Sequence, residues 1–423
     1  MNPPAWTKHA ADEQWKLLPR QLLLTSLLVC ALTAEAQSVV APAPAVNYAP
    51  PALPQNPAAT NSSAPAPSSP IGSSPFQWGP VTLSPHFSYR FLYGDGIQAA
   101  PGQQSRTTIQ AFSPGVLFSL GTHWTLDYTP TQTYYSDPVF KDTLDHTVRL
   151  AGATTSEDWI FQFSQDYTSS SSPLIETGQQ TSEKSFGTAL SGSDHFNSLM
   201  TLDSTLTQQV RLLDIYPDSR EWSVVERLHY RFSSQLDGAL GAGFGYVSVS
   251  AGSDMTYIRP EAQISWRATD KLSLELRGGF ENRKFRSGGV ADLNTPTMNA
   301  SINYLPFETT TLSVAANRTV AAAYFQNEVT QNTSWNINLR QRLLQHFYLS
   351  SSLTQQKTSY LATSSTVTAG RSDRNYSFDV RLSTTFFQRG TIAVLYQNAH
   401  NTSNSAGFGF SSSQVGVELG YRY

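Results

Sequence analysis

The sequence predicts an all-β fold, a closed antiparallel transmembrane β-barrel of about eighteen strands (sixteen at the lower count) preceded by a disordered linker. Three observations carry that expectation. The last nine residues alternate, with Val415, Val417, Leu419, Tyr421 and Tyr423 on one face and Gly416, Glu418, Gly420 and Arg422 on the other. A period of two with one oily face describes a strand between an apolar and a wet surface. From Val81 onward the same alternation recurs in units averaging about 38 residues, enough for two strands of roughly 9 to 11 residues, a tight turn and a longer loop. Trp, Tyr and Phe also fall at both ends of most segments on the oily face, where girdles at two membrane interfaces would need them. A soluble sandwich would alternate without that placement. Lipid-exposed backbone must be hydrogen-bonded throughout, so the sheet has to close on itself.

Composition agrees. Of 423 residues, 14% are charged and 12% aromatic, and the formal net charge is −3. Mean hydropathy is −0.30, low enough for strands that wet half their side chains. Beyond the N-terminus no run of 18 apolar residues could form a membrane helix. No stretch is dense in Lys or Arg, which argues against nucleic-acid binding.

Residues 1–36 read as a signal peptide. Lys8, Lys16 and Arg20 precede the apolar run from Leu22 to Leu32, and Ala34-Glu35-Ala36 is a small-x-small site. Cys30 is the single cysteine; Val29 is too large for a lipidation signal, and the cleaved chain could form no disulfide. Residues 37–75 are Pro-, Ala- and Ser-rich and read as an extended periplasmic linker. The barrel is assigned to 76–423.

Short turns are expected near Gly121, Ser156, Asp194, Gln235, Thr269, Pro306, Leu344 and Gln388, each followed by alternating apolar residues such as Trp124, Leu126 and Tyr128. Polar loops are expected near 94–105, 136–142, 169–183, 208–220, 248–255, 281–295, 319–331, 356–372 and 398–408. Loops of this size leave no long constriction loop. An even strand count puts both termini on one side, the periplasm.

With the oily phase outward, the other phase lines a lumen. It contains Arg90, Asp127, Arg149, His229, Glu275, Arg340, Asp379, Arg381, Glu418 and Arg422. Arg227, Arg231, Arg259, Glu261 and Arg277 read as a charged wall that tunes passage. A turn centred on Thr269 sets Glu261 opposite Arg277. One centred on Gln235 sets Arg227 and His229 opposite Gly243 and Gly241, and glycines at 241, 243 and 245 leave room for long arginines to lie flat. An ordinary solvated lumen face explains the same residues. Lumen arginines slightly outnumber acids, which leans towards anions. Tyr348 is the clearest lumen aromatic.

Catalysis lacks a constellation. His146 is in outward phase, as a barrel phospholipase would need, but no nearby Ser is placed to pair with it. Asp142, Asp145 and His146 could suit a rim protease, yet solvated loop charge explains them as well. No histidines show metal-ligand spacing and no phosphate-binding glycine motif occurs. No enzyme activity, metal or cofactor is expected.

The stretch from about Phe76 to Tyr423 resembles bacterial outer-membrane β-barrels. Leu419, Tyr421 and terminal Tyr423 resemble the final-strand signal read by the barrel-assembly machinery. His123-Trp124-Thr125-Leu126-Asp127-Tyr128-Thr129-Pro130 and Gly420-Tyr421-Arg422-Tyr423 resemble a family of β-barrel porins, some members of which accompany exopolysaccharide export genes. The resemblance implies an outer-membrane channel in contact with lipid and lipopolysaccharide, passing small polar solutes or ions; it transfers no functional residue. A conduit or structural part of exopolysaccharide export is the alternative, followed by a surface adhesin or a barrel hydrolase. Nothing in the sequence identifies an oligomer interface.

Overall fold

The computed structural model describes residues 76–423 apart from 157–158, 287–288 and 388. The signal peptide with Cys30, the linker and the turn residue Gln388 lie outside the described residues. A two-residue stub, β1 (Gln77–Trp78), pairs with the start of β2 (Val81–Ala100). Seventeen further strands follow: β3 (Gln103–Leu120), β4 (Trp124–Tyr135), β5 (Thr143–Ser156), β6 (Trp159–Leu174), β7 (Gln179–His195), β8 (Met200–Leu213), β9 (Ser219–Arg231), β10 (Leu236–Val249), β11 (Met255–Thr269), β12 (Leu272–Phe285), β13 (Leu293–Phe307), β14 (Thr310–Ala322), β15 (Glu328–Leu343), β16 (Phe347–Ala362), β17 (Ser372–Phe386), β18 (Gly390–Ser403) and β19 (Phe410–Arg422). Each pairs antiparallel with its sequence neighbour. The last pairs with β2 from Arg422↔His86 to Ser413↔Asp95, so β2 to β19 close as an eighteen-stranded barrel.

Closure sorts the side chains as the alternation requires. Leu240 and Phe280 are 72% and 70% exposed on the outer wall. The opposite phase encloses a polar interior with Arg90, Arg227, Glu261, Arg277 and Glu418 all buried. Both ends of the barrel chain lie at the short-turn rim, where the Phe76 and Tyr423 rings stand 6.0 Å apart.

Turns at 121–123, 232–235 and 344–346 fall where the sequence placed them. Gly121 turns at φ +63° in a left-handed conformation, and Leu344 and Gln345 adopt φ 47° and 63°. The 136–142 loop stands where it was expected, but most of the opposite connections are shorter than expected. The 169–183 loop shrinks to 175–178 and the 94–105 loop to 101–102. Beyond the apolar band both faces are polar, so alternation fades while the ladder continues; Ser171, for example, still pairs with Ser182. Near the top of β2 the register shifts between Gly94 and Ile97. Gly96 there has φ +74°, and a Cβ would lie 1.9 Å from the Ser411 carbonyl oxygen. The bulge turns Ile97 inward, where it is fully buried with Leu92, Ile109, Phe140 and Leu395.

One ladder stops early. β13 starts at Leu293 and β14 ends at Ala322, but their pairing ends at Met298↔Arg318. β14 and β15 stay paired up to Ala322↔Val329. This hairpin top, residues 319–332, tucks inside the wall. Val320, Ala322 and Val329 pack on Val247, Met255 and Tyr257, with Phe285 and Leu293 at the edge of the cluster.

Wall polarity is directly testable. Leu240→Arg should destabilise the folded barrel in lipid by about 2 to 4 kcal/mol, read from reversible urea unfolding in vesicles. Ser350→Arg, on a lumen-lining position, should leave the same midpoint nearly unchanged.

Candidate functional site

The lumen is the candidate site, and three neighbouring strands build its most charged wall. Pairing across β9, β10 and β11 puts Arg227 opposite Gly241 and Gly241 opposite Glu261. With no side chain between them, the Arg227 guanidinium crosses β10 and its Nε donates to Glu261 Oε1 at 2.6 Å. A Cβ on Gly241 would stand 2.5 Å from the Glu226 carbonyl oxygen and 2.8 Å from Arg227 Cγ. Arg259, opposite Gly243, reaches the other Glu261 oxygen at 3.2 Å. Tyr257, opposite Gly245, crosses the same way and donates to Glu221 Oε1 at 2.6 Å. The three glycines form a gutter in which long side chains lie against the wall.

Two expected registers are corrected. Glu261 faces Gly279, and Gln263 faces Arg277, because the turn lies at 270–271, beyond the expected centre at Thr269, and the one-residue irregularity between Arg267 and Thr269 recovers only part of the difference. Arg277 therefore donates to Gln263 at 3.0 Å and to Glu275 at 3.1 Å. Likewise Arg227 and His229 face Gly241 and Ala239, not Gly243 and Gly241, because the turn occupies 232–235. Each slip is two residues, so every side chain keeps its expected face. Arg231 stands apart from the wall at the short-turn rim, exposed, with Nη1 donating to the Ser198 carbonyl at 3.3 Å.

A second charged group sits where the barrel closes. Glu418 accepts from Arg381 at 2.8 Å across β18 and lies 3.8 Å from Arg90 on β2. Asp379 accepts from Gln397 at 3.0 Å. Arg340 lies over the Tyr348 ring at 5.6 Å. Arg149 pairs with Asp166 at 2.6 Å, and Asp127 with His86 at 3.2 Å. His229 is held between Asp203 and Asp237 at 3.0 and 2.8 Å.

Several of these groups line two chambers. The larger, about 1100 Å³, runs along β12 to β19 and onto β2, and is lined by Arg90, Arg340, Arg342 and Arg381 against Glu308 and Asp379, amid many Ser, Thr, Asn and Gln. The smaller, about 460 Å³, lies towards β5 to β14 and holds six arginines and four carboxylates.

The long-loop mouth is narrowed, contrary to the expectation of short loops that stay clear of the pore. The β6–β7 tip (175–178), the β14–β15 tip (323–327) and the β16–β17 loop (363–371) meet over the lumen. Tyr324 N donates to Glu176 Oε1 at 3.1 Å. Arg371 donates to the carbonyls of Glu176 and Ile175 at 2.7 and 3.3 Å, and its guanidinium stacks 3.5 Å from the Phe408 ring centre. Two further buried arginines hold the tucked hairpin. Arg211 donates to the carbonyls of Ala322 and Ala323 at 3.0 and 3.3 Å, and Arg283 to that of Val320 at 3.2 Å. Sequence reasoning missed Arg211 and Arg283 because both fell in stretches read as polar loops; their odd numbers, in phase with Arg227 on β9 and Arg277 on β12 once the strands are extended, were the available signal.

The enzyme-like candidates resolve into structural roles. His146 does have a serine across the ladder, Ser169, against expectation. Its Nδ1, however, lies 3.1 Å from the Tyr128 hydroxyl, and the two rings stack. Asp142 accepts from Tyr135 N and Asp145 from Ser171 N, fixing the backbone of neighbouring segments.

Two measurements follow. Gly241→Ala should separate Arg227 from Glu261 and cost about 1 to 3 kcal/mol by overpacking, whereas Gly243→Ala, whose Cβ would meet nothing nearer than 3.5 Å, should be near neutral in the same unfolding assay. At the mouth, burial pushes the Glu176 carboxyl from its ordinary 4.5 up to about 7, while Arg211 and Arg371 pull it down and Asp373 pushes it further up. The folded junction thus holds its proton longer than the open chain does. Its extra stability is complete below about 4.5 and is lost as pH rises through about 7. Amide exchange at 172–178 should accelerate over that window, and Glu176→Gln should flatten the dependence.

Comparison with known proteins finds likeness in one family model and in several solved structures. The family model described as "Putative beta-barrel porin 2" matches residues 252–423. No curated protein matches the chain. Among solved structures, Pseudomonas aeruginosa OccK2 (OpdF) is 12% identical with a TM-score of 0.46, covering 80% of this chain and 98% of that one. OccK9 (OpdG) of the same organism is 11% identical, with a TM-score of 0.45 and coverage of 81% and 98%. OpdL is 13% identical, at 0.43, with coverage of 81% and 98%. A likeness at that level carries nothing about solutes across to this chain. The match to the porin family covers β11 to β19 in full, including the closing strand and, apart from Arg90 on β2, the larger chamber's lining.

Proposed function

We propose that this protein is a porin-like channel of a bacterial outer membrane, admitting small polar solutes with a bias towards anions. The observation that carries the proposal is the sorting of the wall: an apolar exterior around a charged, hydroxyl- and amide-rich interior. A closed barrel with this polarity has water on its inner face, because buried charges without water or partners would be prohibitive. The bias rests on the lining, where arginines exceed carboxylates in both chambers. Arg227, Arg259, Glu261 and Arg277 form the selective wall, with Arg90, Arg381 and Glu418 as a second charged station. No catalytic role is assigned to any residue.

In the same reading, residues 1–36 direct export, 37–75 link the barrel to the periplasm, and both ends of the barrel face that compartment. Leu419, Tyr421 and Tyr423 present the insertion signal on the lipid face, where Leu419 and Tyr421 are 40% and 43% exposed. Lipid and lipopolysaccharide then surround the wall.

Planar-bilayer recording tests the proposal. The purified protein should conduct, with a reversal potential in a KCl gradient displaced towards chloride. Glu261→Gln should displace it further, since Arg227 and Arg259 lose their shared counter-charge. A folded barrel that never conducts, or one strongly selective for cations, would overturn the reading.

A further inference from the structure

We propose that the top of the β14–β15 hairpin, residues 319–332, is a movable gate that shuts the mouth when tucked inside the wall and opens it by zipping onto the free edge of β13. The inference rests on the channel reading above and adds its regulation.

The hairpin is in the wrong layer for its own pattern. Along β14 the outward phase runs Leu312, Val314, Ala316, Arg318 and on to Val320 and Ala322; along β15 it runs Leu339, Ile337, Trp335 and on to Val329. These outward positions belong against lipid or the outer rim. Val320, Ala322 and Val329 are instead buried, at 9%, 7% and 0% exposure, against the inner face of β10 and β11. Gln331, also in outward phase, donates to the Thr295 hydroxyl on the inner face of β13. The flap has therefore slid behind its neighbour rather than joined it.

The backbone shows what holds it there. In an antiparallel ladder, a residue's N–H and C=O point to the same neighbouring strand, and successive residues alternate. The Val320 and Ala322 carbonyls point away from β15, towards the place β13 would occupy, and Arg283 and Arg211 take them instead. Two guanidinium groups thus stand in for a missing strand. If the β13–β14 register continued past Met298↔Arg318, Thr297 would face Thr319 and Pro296 would face Val320. Pro296 has no N–H to give the Val320 carbonyl. The zipped state therefore lacks one ladder bond that Arg283 provides in the tucked state, and zipping in turn frees the mouth of Tyr324. Two arrangements with similar bonding are what a gate requires.

The test uses the register itself. Thr297 and Thr319 would form a non-hydrogen-bonded pair in the zipped ladder, the geometry in which Cα atoms approach within about 4.5 Å and a disulfide fits. In refolded Cys30→Ala protein carrying Thr297→Cys and Thr319→Cys, oxidation in the bilayer should form the crosslink and raise conductance about two-fold or more, and reduction should reverse it. Arg211→Gln with Arg283→Gln, which loosens the tucked state, should speed crosslinking and raise conductance without it. Heat-modifiable migration on gels verifies that each variant is folded. A conducting protein whose cysteines never join, or whose crosslink leaves conductance unchanged, removes the gate and leaves the channel standing. If wild-type, crosslinked and arginine-substituted barrels all stay silent although folded, the channel reading falls and the gate with it.

Discussion

A barrel wall in lipid cannot leave main-chain N–H and C=O groups bare, and this constraint orders the whole structure. It makes β19 return to β2, and it turns polar stretches beyond the oily band into strands where unordered loops would otherwise stand. It also explains the arginines at the tucked hairpin. Where β14 leaves β13, the unladdered carbonyls of Val320 and Ala322 still need donors, and Arg283 on β12 and Arg211 on β8 supply them. These residues are backbone substitutes first and charges second.

The interior charges follow a related logic of space. A strand row of side chains would hold Arg227 and Glu261 apart, since β10 lies between them. Gly241 removes that obstacle, and the pair closes over bare backbone at 2.6 Å. The result is a pair pressed against the wall, leaving the lumen centre for solute. Tyr257 over Gly245 repeats the device one step higher. Charge on this part of the lumen wall is thus part of its surface and is not carried on side chains reaching into the interior.

How much of this could be read in advance depended on which periodicity carried the information. Face was readable throughout: a lipid boundary punishes a one-residue slip, so Arg227, Arg259, Glu261 and Arg277 sit inside as their phase demanded. Register was readable only to within two residues, because a slip of two keeps every face and leaves the apolar pattern silent; hence Gln263, not Glu261, faces Arg277. Strand ends were not readable where both sides are wet, which concealed Arg211 and Arg283. Nor could local pattern foretell that the outward phase of β14 would end indoors, since Val320 and Ala322 look like any other lipid-facing residues. That outcome depends on contacts with Val247 and Met255, dozens of residues earlier in the chain.

The closing seam carries a further implication. Arg90 lies on the first long strand and its counter-charge Glu418 on the last, five residues from the end of the chain. The two are brought together only when the first and last strands pair. Glu418 comes between Arg90 and Arg381 only when the final strand docks, so a barrel stalled one strand short would leave that three-residue contact unmade at its open edge, a built-in mark of incomplete assembly.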